Sequence, residues 1–273
     1  MNNTNTRPGK DFWDATVVMS ESARRYHSPE SIVFPFEHNP LELTVFVSSY
    51  NEEAFMRNTL ETVVFALKKI GKTYEIIIID DCSKDSSVDI IKAFIEKNPE
   101  LNVVLCVNKV NKGLAQNFIE GAFMGRGKYY RLICGDNSEP VETMLKVFGM
   151  MGEADIIVPY YVSALGKSRF RRLLSQAYTG IVNLLSGNHI HYYNGLHVHL
   201  RYNVMRWRHN TRGFAFQAGL LCSLIDLGFT YKQVSCVTIE QRGGGGNALN
   251  LKNLLSVART FMDILLNRIR PRT

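Results

Sequence analysis

A doubly wound α/β domain, with a mainly parallel sheet and helices on both faces, is the fold class the sequence predicts. Three observations carry it. Short apolar runs alternate with helical periodicity from about Leu41 onward. One of those runs, Glu75-Ile76-Ile77-Ile78-Ile79, is apolar almost without interruption, as in a strand covered on both faces. Several runs also stop at carboxylates or small polar residues, as strands do at the ligand-binding edge of such a sheet.

Residues 1–40 are polar and lack clear periodicity beyond a short helical pattern near Ser20 to Tyr26. They read as an extension that either wraps the domain or is partly disordered. Leu43-Thr44-Val45-Phe46-Val47 is the first strand, and it stops at the polar Ser48-Ser49-Tyr50-Asn51-Glu52-Glu53. Leu60, Val63, Val64, Leu67 and Ile70 then recur at helical spacing, and Gly71 ends the helix. The second strand, through Ile79, runs into Asp80-Asp81-Cys82-Ser83-Lys84-Asp85, and a helix to about Lys97 follows. Leu101 to Val107 makes a third strand, and Lys112-Gly113 opens a helix to about Phe123. Tyr129 to Cys134 makes a fourth strand, ending at Gly135-Asp136-Asn137. Strands separated by helices imply crossover connections and a parallel sheet. Glu52, Asp80 with Asp81, and Asp136 then fall along one edge.

Composition narrows the function classes. Of 273 residues, 45% are hydrophobic and 21% charged, as in ordinary globular domains, and the length suits one large α/β domain or two small ones. The net charge of +7 is spread along the chain, which suits a nucleotide diphosphate or a membrane surface and does not indicate nucleic acid. The five cysteines are widely spaced with no CxxC pair, as expected of free thiols in a reducing compartment. The segment MNNTNTRPGKDFWD lacks the apolar core of a secretory signal, and no apolar run approaches the roughly 20 residues of a spanning helix. The expectation is a cytoplasmic protein, or one peripheral on the cytosolic face of a membrane. No GxGxxG follows the first strand and no GxxxxGK[ST] occurs, which argues against a nucleotide-dependent dehydrogenase or a kinase.

Taken alone, Asp80-Asp81-x-Ser83-x-Asp85 also reads as a helix start, where Asp and Ser cap free N–H groups. The arrangement across several strand ends tips the balance towards a site. Ser48-Ser49-Tyr50-Asn51-Glu52 resembles a P-x-Y-N-E motif, Asp80 to Asp85 matches D-D-x-S-x-D, and Asn111 to Gly121 matches N-x-G-x-x-x-A/N-x-x-x-G. In this order and spacing the chain resembles family-2 glycosyltransferases, whose catalytic domain is the GT-A fold, from about Leu43 to about Asn253. The resemblance implies that Ser48, Tyr50, Glu52 and Asp81 hold the nucleoside of a UDP- or GDP-linked sugar, with Asp81 accepting from a base N–H. It places Lys112 and Gly113 near the diphosphate. The family's metal motif, D-x-D, is reduced here to Cys134-Gly135-Asp136. What remains implies Mg²⁺ or Mn²⁺ on Asp136, completed by phosphate oxygens and water. Cys134 is a poor ligand for so hard an ion and suits strand packing better.

Lys167, Arg169, Arg171 and Arg172 precede a helical run to about Leu185. A solvated helix start would favour acids there, whereas a phosphate partner explains arginines. Here the resemblance is closest to polyprenyl-phosphate mannose and glucose synthases. Tyr193-Asn194-Gly195-Leu196 is similar to their Y/T-x-G-F/L turn, and Gly213-Phe214-Ala215-Phe216-Gln217 to their G-Y/F-x-F-Q segment. A hydroxyl acceptor needs a base, usually an Asp near the position of Gln217, whereas a phosphate acceptor is already an anion. Gln217 therefore favours a lipid phosphate, or else it is a buried amide anchoring its helix. Arg242-Gly243-Gly244-Gly245-Gly246-Asn247-Ala248 keeps the arginine of an R-x-x-G-x-S-K loop and loses its Ser-Lys. It closes over a diphosphate or is a flexible connector.

His189, His191, His197 and His199 share an i, i+2 spacing that invites zinc, but structural zinc sites more often use Cys/His sets at other spacings. Leu251, Leu254, Leu255, Ala258, Phe261, Met262 and Leu265 form a helical stripe followed by Arg268, Arg270 and Arg272. This is a packed helix or, alternatively, an interfacial one. The expected organisation is an extension over 1–40, a glycosyltransferase domain over 41–246 with a donor half to about 137 and an acceptor half from 138, and an amphipathic helix with a basic tail over 247–273. The expected reaction is inverting transfer of a hexose from a nucleotide-diphosphate sugar to a polyprenyl phosphate. Asp136, Arg242 and Gln217 would be catalytic, and Arg169, Arg171 or Arg172 would bind the acceptor phosphate. Transfer to a saccharide hydroxyl in surface-polysaccharide or glycolipid assembly and a non-catalytic nucleotide-sugar-binding role remain as alternatives.

Overall fold

The computed structural model of the protein describes residues 41–165, 169–207, 215–241 and 251–269. Among the described residues, seven strands are interspersed with helices: β1 (Leu43–Ser49), β2 (Tyr74–Asp80), β3 (Val103–Val107), β4 (Tyr129–Cys134), β5 (Ile156–Leu165), β6 (Val198–Leu200) and β7 (Tyr231–Ile239). The helices are α1 (Met56–Ile70), α2 (Ser87–Lys97), α3 (Leu114–Met124), α4 (Val141–Gly149), α5 (Arg169–Ser186), α6 (Arg201–Arg206), α7 (Phe216–Asp226) and α8 (Leu251–Ile269).

The strands make one sheet in the order β3-β2-β1-β4-β6-β5-β7. β1 pairs in parallel with both β2 and β4, which makes it the centre of the first half, and β6 is antiparallel to both its neighbours. The expected α/β sheet is therefore present, with one short reversed strand inserted. Ile76 to Ile79 are buried along their whole length, as a strand covered on both faces requires. Burying each such side chain contributes about 1.5–3 kcal/mol. Met56, Leu60, Val63 and Leu67 of α1 pack on this layer together with Met144, Val147 and Phe148 of α4. α1 ends at Gly71, whose φ of 65° is left-handed, as the sequence suggested.

Some boundaries move. The third strand starts at Val103 rather than Leu101, because Leu101 belongs to the turn after α2, where its N–H bonds the Asn98 carbonyl. The helix expected from Lys112 starts at Leu114, since the N–H groups of Lys112 and Gly113 are used by Asp81. β5 contains Pro159, a residue that argues against a central strand. It is accommodated because β6 pairs only with Ile156 and Ile157, short of the proline. α8 packs against α5 and α7 and buries Thr260 and Ile264, which lie outside the expected stripe, while Ala258 and Met262 of that stripe are exposed. Arg268 donates to the Leu184 and Leu185 carbonyls at 3.2 and 3.1 Å, closing the C-terminal end of α5.

Candidate active site

The carboxyl ends of β1, β2 and β4 lie side by side, and each continues into a turn with an uncommon backbone. Asn51, Cys82 and Asn137, one after each strand, have left-handed φ values of 55°, 68° and 51°. Asparagine tolerates this region; cysteine does so at a cost of about 1–2 kcal/mol. Strain of this kind gathers at functional sites.

The first two turns are stitched together. The Asn51 N–H donates to Ser83 Oγ at 2.9 Å, the Lys84 N–H to Asn51 Oδ1 at 2.8 Å, and the Glu52 N–H to Ser87 Oγ at 2.8 Å. Asp80 is fully buried and structural: Ser49 Oγ donates to it at 2.9 Å, and both the N–H and the hydroxyl of Ser83 do so at 2.9 and 2.5 Å. Asp81 accepts from the N–H groups of Lys112 and Gly113, both at 2.8 Å, and from Asn108 Nδ2 at 3.0 Å. Burial pushes its carboxyl upward, but these donors outweigh burial and hold its pKa below the usual carboxylate range. A carboxylate offers about four acceptor positions, so Asp81 can both shape the loop and accept from a base. The Lys112 ammonium pairs with Glu120 at 2.7 Å, so a diphosphate would have to compete for it. Tyr50 is exposed beside this edge and Ser48 half-buried within it.

Gly135 sits where β4 turns away from β1. A Cβ there would come within 2.6 Å of the Ser48 carbonyl and 2.7 Å of Met56 Cε, and Glu52 Cγ is also near. Only glycine lets the following residue, Asp136, stand this close to β1. Asp136 Oδ1 accepts the Ser138 N–H at 3.2 Å, and the side chain is half-buried. Burial, then Asp136, Glu52 and Glu139 in turn, push the Cys134 thiol far up, which keeps it protonated and unsuited to bind a metal. Among the described residues no three His, Cys, Asp or Glu side chains form a metal cage. One carboxylate at a strand end fits Mg²⁺ or Mn²⁺ only where substrate oxygens and water complete the shell.

Cys134 and Ser138, which flank Asp136, also line a cavity of about 470 Å³. Its other walls come from Tyr160 and Tyr161 on β5, Arg172 on α5, and His191, Tyr192 and Asn194 in the loop before β6. No Asp or Glu is among its described lining residues. Of the three arginines singled out by sequence, Arg172 lines the cavity, Arg171 is ion-paired with Glu240, and Arg169 is exposed at the start of α5. Gln217 lies in the first turn of α7, half-buried and away from the cavity lining. Arg242 and the glycines after it, Lys167, and residues 1–40 lie outside the described residues. The four histidines do not converge: His197 and His199 are buried with ring centroids 5.6 Å apart, while His191 is exposed and bonds Gln233 at 2.8 Å. Sequence reasoning missed the aromatic walls of the cavity, although Tyr160-Tyr161 and Tyr192-Tyr193 were visible as pairs.

The model of the family described as Glycosyl transferase family 2 matches residues 44–215. A dolichyl-phosphate beta-glucosyltransferase of Dictyostelium discoideum is 33% identical over 121 residues, 41% of this chain and 37% of that protein. An undecaprenyl-phosphate 4-deoxy-4-formamido-L-arabinose transferase of Pseudomonas aeruginosa is 25% identical over 155 residues, 56% of this chain and 45% of that one. The chain thus spans less than half the length of these two relatives. Among solved structures, a mannosyltransferase from Pyrobaculum calidifontis in complex with GDP-Man and Mn²⁺ superposes with a TM-score of 0.62 at 15% identity, over 94% of this chain and 73% of that one. A glucosyl-3-phosphoglycerate synthase from Mycobacterium tuberculosis in complex with UDP gives 0.62 at 16% identity, over 96% and 87%. These structures share the fold. With the family model covering most of the sheet and all three strand-end turns, the chain belongs to glycosyltransferase family 2.

Proposed function

We propose that this chain transfers a hexose from a nucleotide-diphosphate sugar to a polyprenyl phosphate, with inversion at the anomeric carbon. The observation that carries the reading is the cavity beside Asp136, which among the described residues presents Arg172 and no carboxylate. An anionic acceptor is attracted by such a lining and needs no base, whereas a hydroxyl acceptor needs one. The two relatives named above are a dolichyl-phosphate and an undecaprenyl-phosphate transferase, which supports the same acceptor class.

Ser48, Tyr50, Glu52 and Asp81 would hold the nucleoside at the ends of β1 and β2, with Gly113 and Lys112 at the diphosphate. Asp136 would hold Mg²⁺ or Mn²⁺, which supplies charge neutralisation at the leaving diphosphate when bound. Arg242 would assist there, and Gln217 would support the acceptor side from α7. Arg172 would orient the acceptor phosphate for attack from the opposite side of the sugar, with Arg169 drawing the anion towards the cavity mouth. Positioning and charge stabilisation carry most of such a reaction.

α5 supports a lipid as the carrier of that phosphate. Arg172, Ser175, Gln176 and Thr179 face the cavity, while Phe170, Leu173, Leu174, Ile181 and Leu184 are exposed along another side. An exposed apolar stripe with arginines at one end suits an anionic membrane surface. No described helix is long and apolar enough to cross a membrane. A saccharide hydroxyl is the second reading, favoured by one observation: His191, a residue type able to act as a base, stacks on Tyr160 in the cavity wall with ring centroids 4.6 Å apart.

The test is a transfer assay with UDP-, GDP- and dTDP-sugars, with and without Mn²⁺, offering a polyprenyl phosphate or a saccharide as acceptor. Metal-dependent transfer to the lipid phosphate is expected, slowed about 10²–10³-fold in Asp136→Ala. Full activity of Asp136→Ala or Arg242→Ala would sink the assignment. Donor binding without transfer or hydrolysis would leave a non-catalytic binding protein.

A further inference from the structure

A buried ion pair lies behind the cavity and takes no part in the reaction as described. Arg131 projects from the middle of β4 and is fully buried, and it is ion-paired through Nη2 with the carboxylate of Glu139, itself 3% exposed. The same guanidinium donates through Nε to the Leu196 carbonyl at 3.0 Å and lies over the Phe148 ring, 4.9 Å from its centroid. Arg131 Nη1 and Glu139 Oε2 find no hydrogen-bond partner among the described residues. A pair that desolvated and only partly satisfied is a poor way to gain stability, since apolar side chains of similar volume commonly do as well.

What distinguishes the pair is where its two ends lead. Glu139 is three residues beyond Asp136, in a loop whose Ser138 lines the cavity. That loop is also held by Gly135 N–H to the Ser48 carbonyl at 3.0 Å, Thr59 Oγ1 to the Gly135 carbonyl at 2.8 Å, Gln241 Nε2 to the Asn137 carbonyl at 3.1 Å, and Ile239 N–H and Thr238 Oγ1 to the Ser138 carbonyl, both at 2.9 Å, but none of these reaches the opposite wall of the cavity. Leu196 belongs to the opposite wall, the loop that also contributes Tyr192 and Asn194. One guanidinium therefore ties the loop carrying the proposed metal carboxylate to the loop walling the proposed acceptor site. Its planar fork can reach both at once, which the single ammonium of a lysine cannot.

We infer that Arg131 and Glu139 are positioning residues, a strut that holds Asp136 in register with the acceptor cavity. The inference rests on the function proposed above. Loss of the strut leaves both half-sites standing but misaligned, so the signature is uncoupling rather than loss of binding.

The experiment compares the wild-type chain with the double variant Arg131→Met/Glu139→Gln, which removes both charges at similar volume. Arg131→Lys is a second variant, which keeps the charge and loses the fork. Donor binding, read by thermal shift with UDP- or GDP-sugar and Mn²⁺, should change by no more than about twofold in both. Transfer kcat should fall at least about tenfold, because small misplacements are costly in rate, and the ratio of donor hydrolysis to transfer should rise. Hydrogen exchange should quicken in the peptides over 134–140 and 190–198 together, with β1 and β2 unchanged.

Unchanged transfer in Arg131→Lys would overturn the inference. So would a loss of transfer matched by an equal loss of donor binding and folded fraction, which is the mark of a merely structural pair. Exchange that quickens in one loop alone would also overturn it. A wild-type chain inactive towards every donor and acceptor would sink the proposed function, and the exchange experiment would still decide whether the strut exists.

Discussion

At the ends of β1 and β2 the polar interior consists of carboxylates, each surrounded by short N–H and O–H donors: Asp80 with Ser49 and Ser83, Asp81 with Lys112, Gly113 and Asn108. Around β5 and β6 the interior is of another kind. His197, His199 and Tyr193 are buried there, and His197 finds no hydrogen-bond partner for either ring nitrogen among the described residues. The first region is organised by carboxylates that collect donors from their own turn and from the ends of neighbouring strands; the second combines buried neutral side chains with the Arg131–Glu139 pair beside them. The two regions therefore differ in their buried titrating groups, aspartate carboxylates in one and imidazoles in the other, and acid should act on them at different pH.

That difference gives the largest expected effect. Burial holds His199 at about 3, and burial, then the neighbouring His199, drive His197 well below 6.5. Both folded values lie below the unfolded one, so between about pH 6.5 and 3 the unfolded chain binds more protons. Stability then falls as the pH drops, by up to about 1.4 kcal/mol per pH unit for each histidine. For Asp81 and Asp85 the folded value is also lowered. The stability they contribute is complete above the unfolded carboxylate pKa, near 4, and is lost only as the pH falls through the folded value. Urea unfolding at pH 7.5, 6 and 5 should show a steep loss across a range where Asp81 and Asp85 are silent. His199→Phe should make that slope shallower by about one proton. An equal slope in the variant would mean that β6 opens to water before the domain unfolds.

Removing the carboxylate that organises the other half is next in size. Asp81→Ala leaves the partly exposed Lys112 and Gly113 N–H groups without their acceptor, and each hydrogen bond to the carboxylate so lost costs about 1.5–3 kcal/mol. Thermal unfolding should register the loss with no donor present, and donor binding should weaken as well. Wild-type stability with weakened donor binding would mean that Asp81 serves the ligand alone.

The same contrast explains what was legible in the sequence. β1, β2, β4 and the turns after them were readable because each is a local pattern: an apolar run, then residues with a turn or acceptor preference. β5 was hidden by Pro159, acceptable only because β6 stops short of it. β6, three residues long, gives no periodicity to detect, and its place between β4 and β5 is set by distant pairing. The residues expected on the donor side could be named because their motifs resemble those of the family and each is contiguous in the sequence. The cavity was not, since Cys134, Tyr161, Arg172 and Asn194 meet only through the sheet order. The left-handed turn at Cys82 carries no sequence signal at all, because cysteine has no preference for it.

Arg172 tests the acceptor half directly. One charge-assisted hydrogen bond to a phosphate is worth about 1.5–3 kcal/mol. Arg172→Ala should accordingly raise the KM for a polyprenyl phosphate by about 10–100-fold while leaving donor binding unchanged. Arg171→Ala, which breaks the Glu240 pair instead, should act less on acceptor KM. Reversal of that order would move the acceptor anion from the cavity to the start of α5.

The smallest expected effect on stability separates the two amphipathic helices. α8 turns Thr260 and Ile264 inward and gives Arg268 to the end of α5. α5 instead leaves Leu173 and Leu184 65% and 78% exposed, on a helix whose cavity side carries Arg172. Leu173→Glu/Leu184→Glu removes apolar surface that the folded chain does not use, so the melting temperature should stay nearly constant, within about 0.5 kcal/mol of stability per site. If that surface lies on lipid, the two changes remove the apolar anchor and add charge that anionic headgroups repel. Sedimentation with anionic vesicles should fall about tenfold for the pair, and activity on vesicle-embedded polyprenyl phosphate should fall with it. Activity on a short, water-soluble polyprenyl phosphate should not change. Equal loss on both substrates would place the stripe in the site itself, and no loss on either would leave α5 facing another protein rather than a membrane.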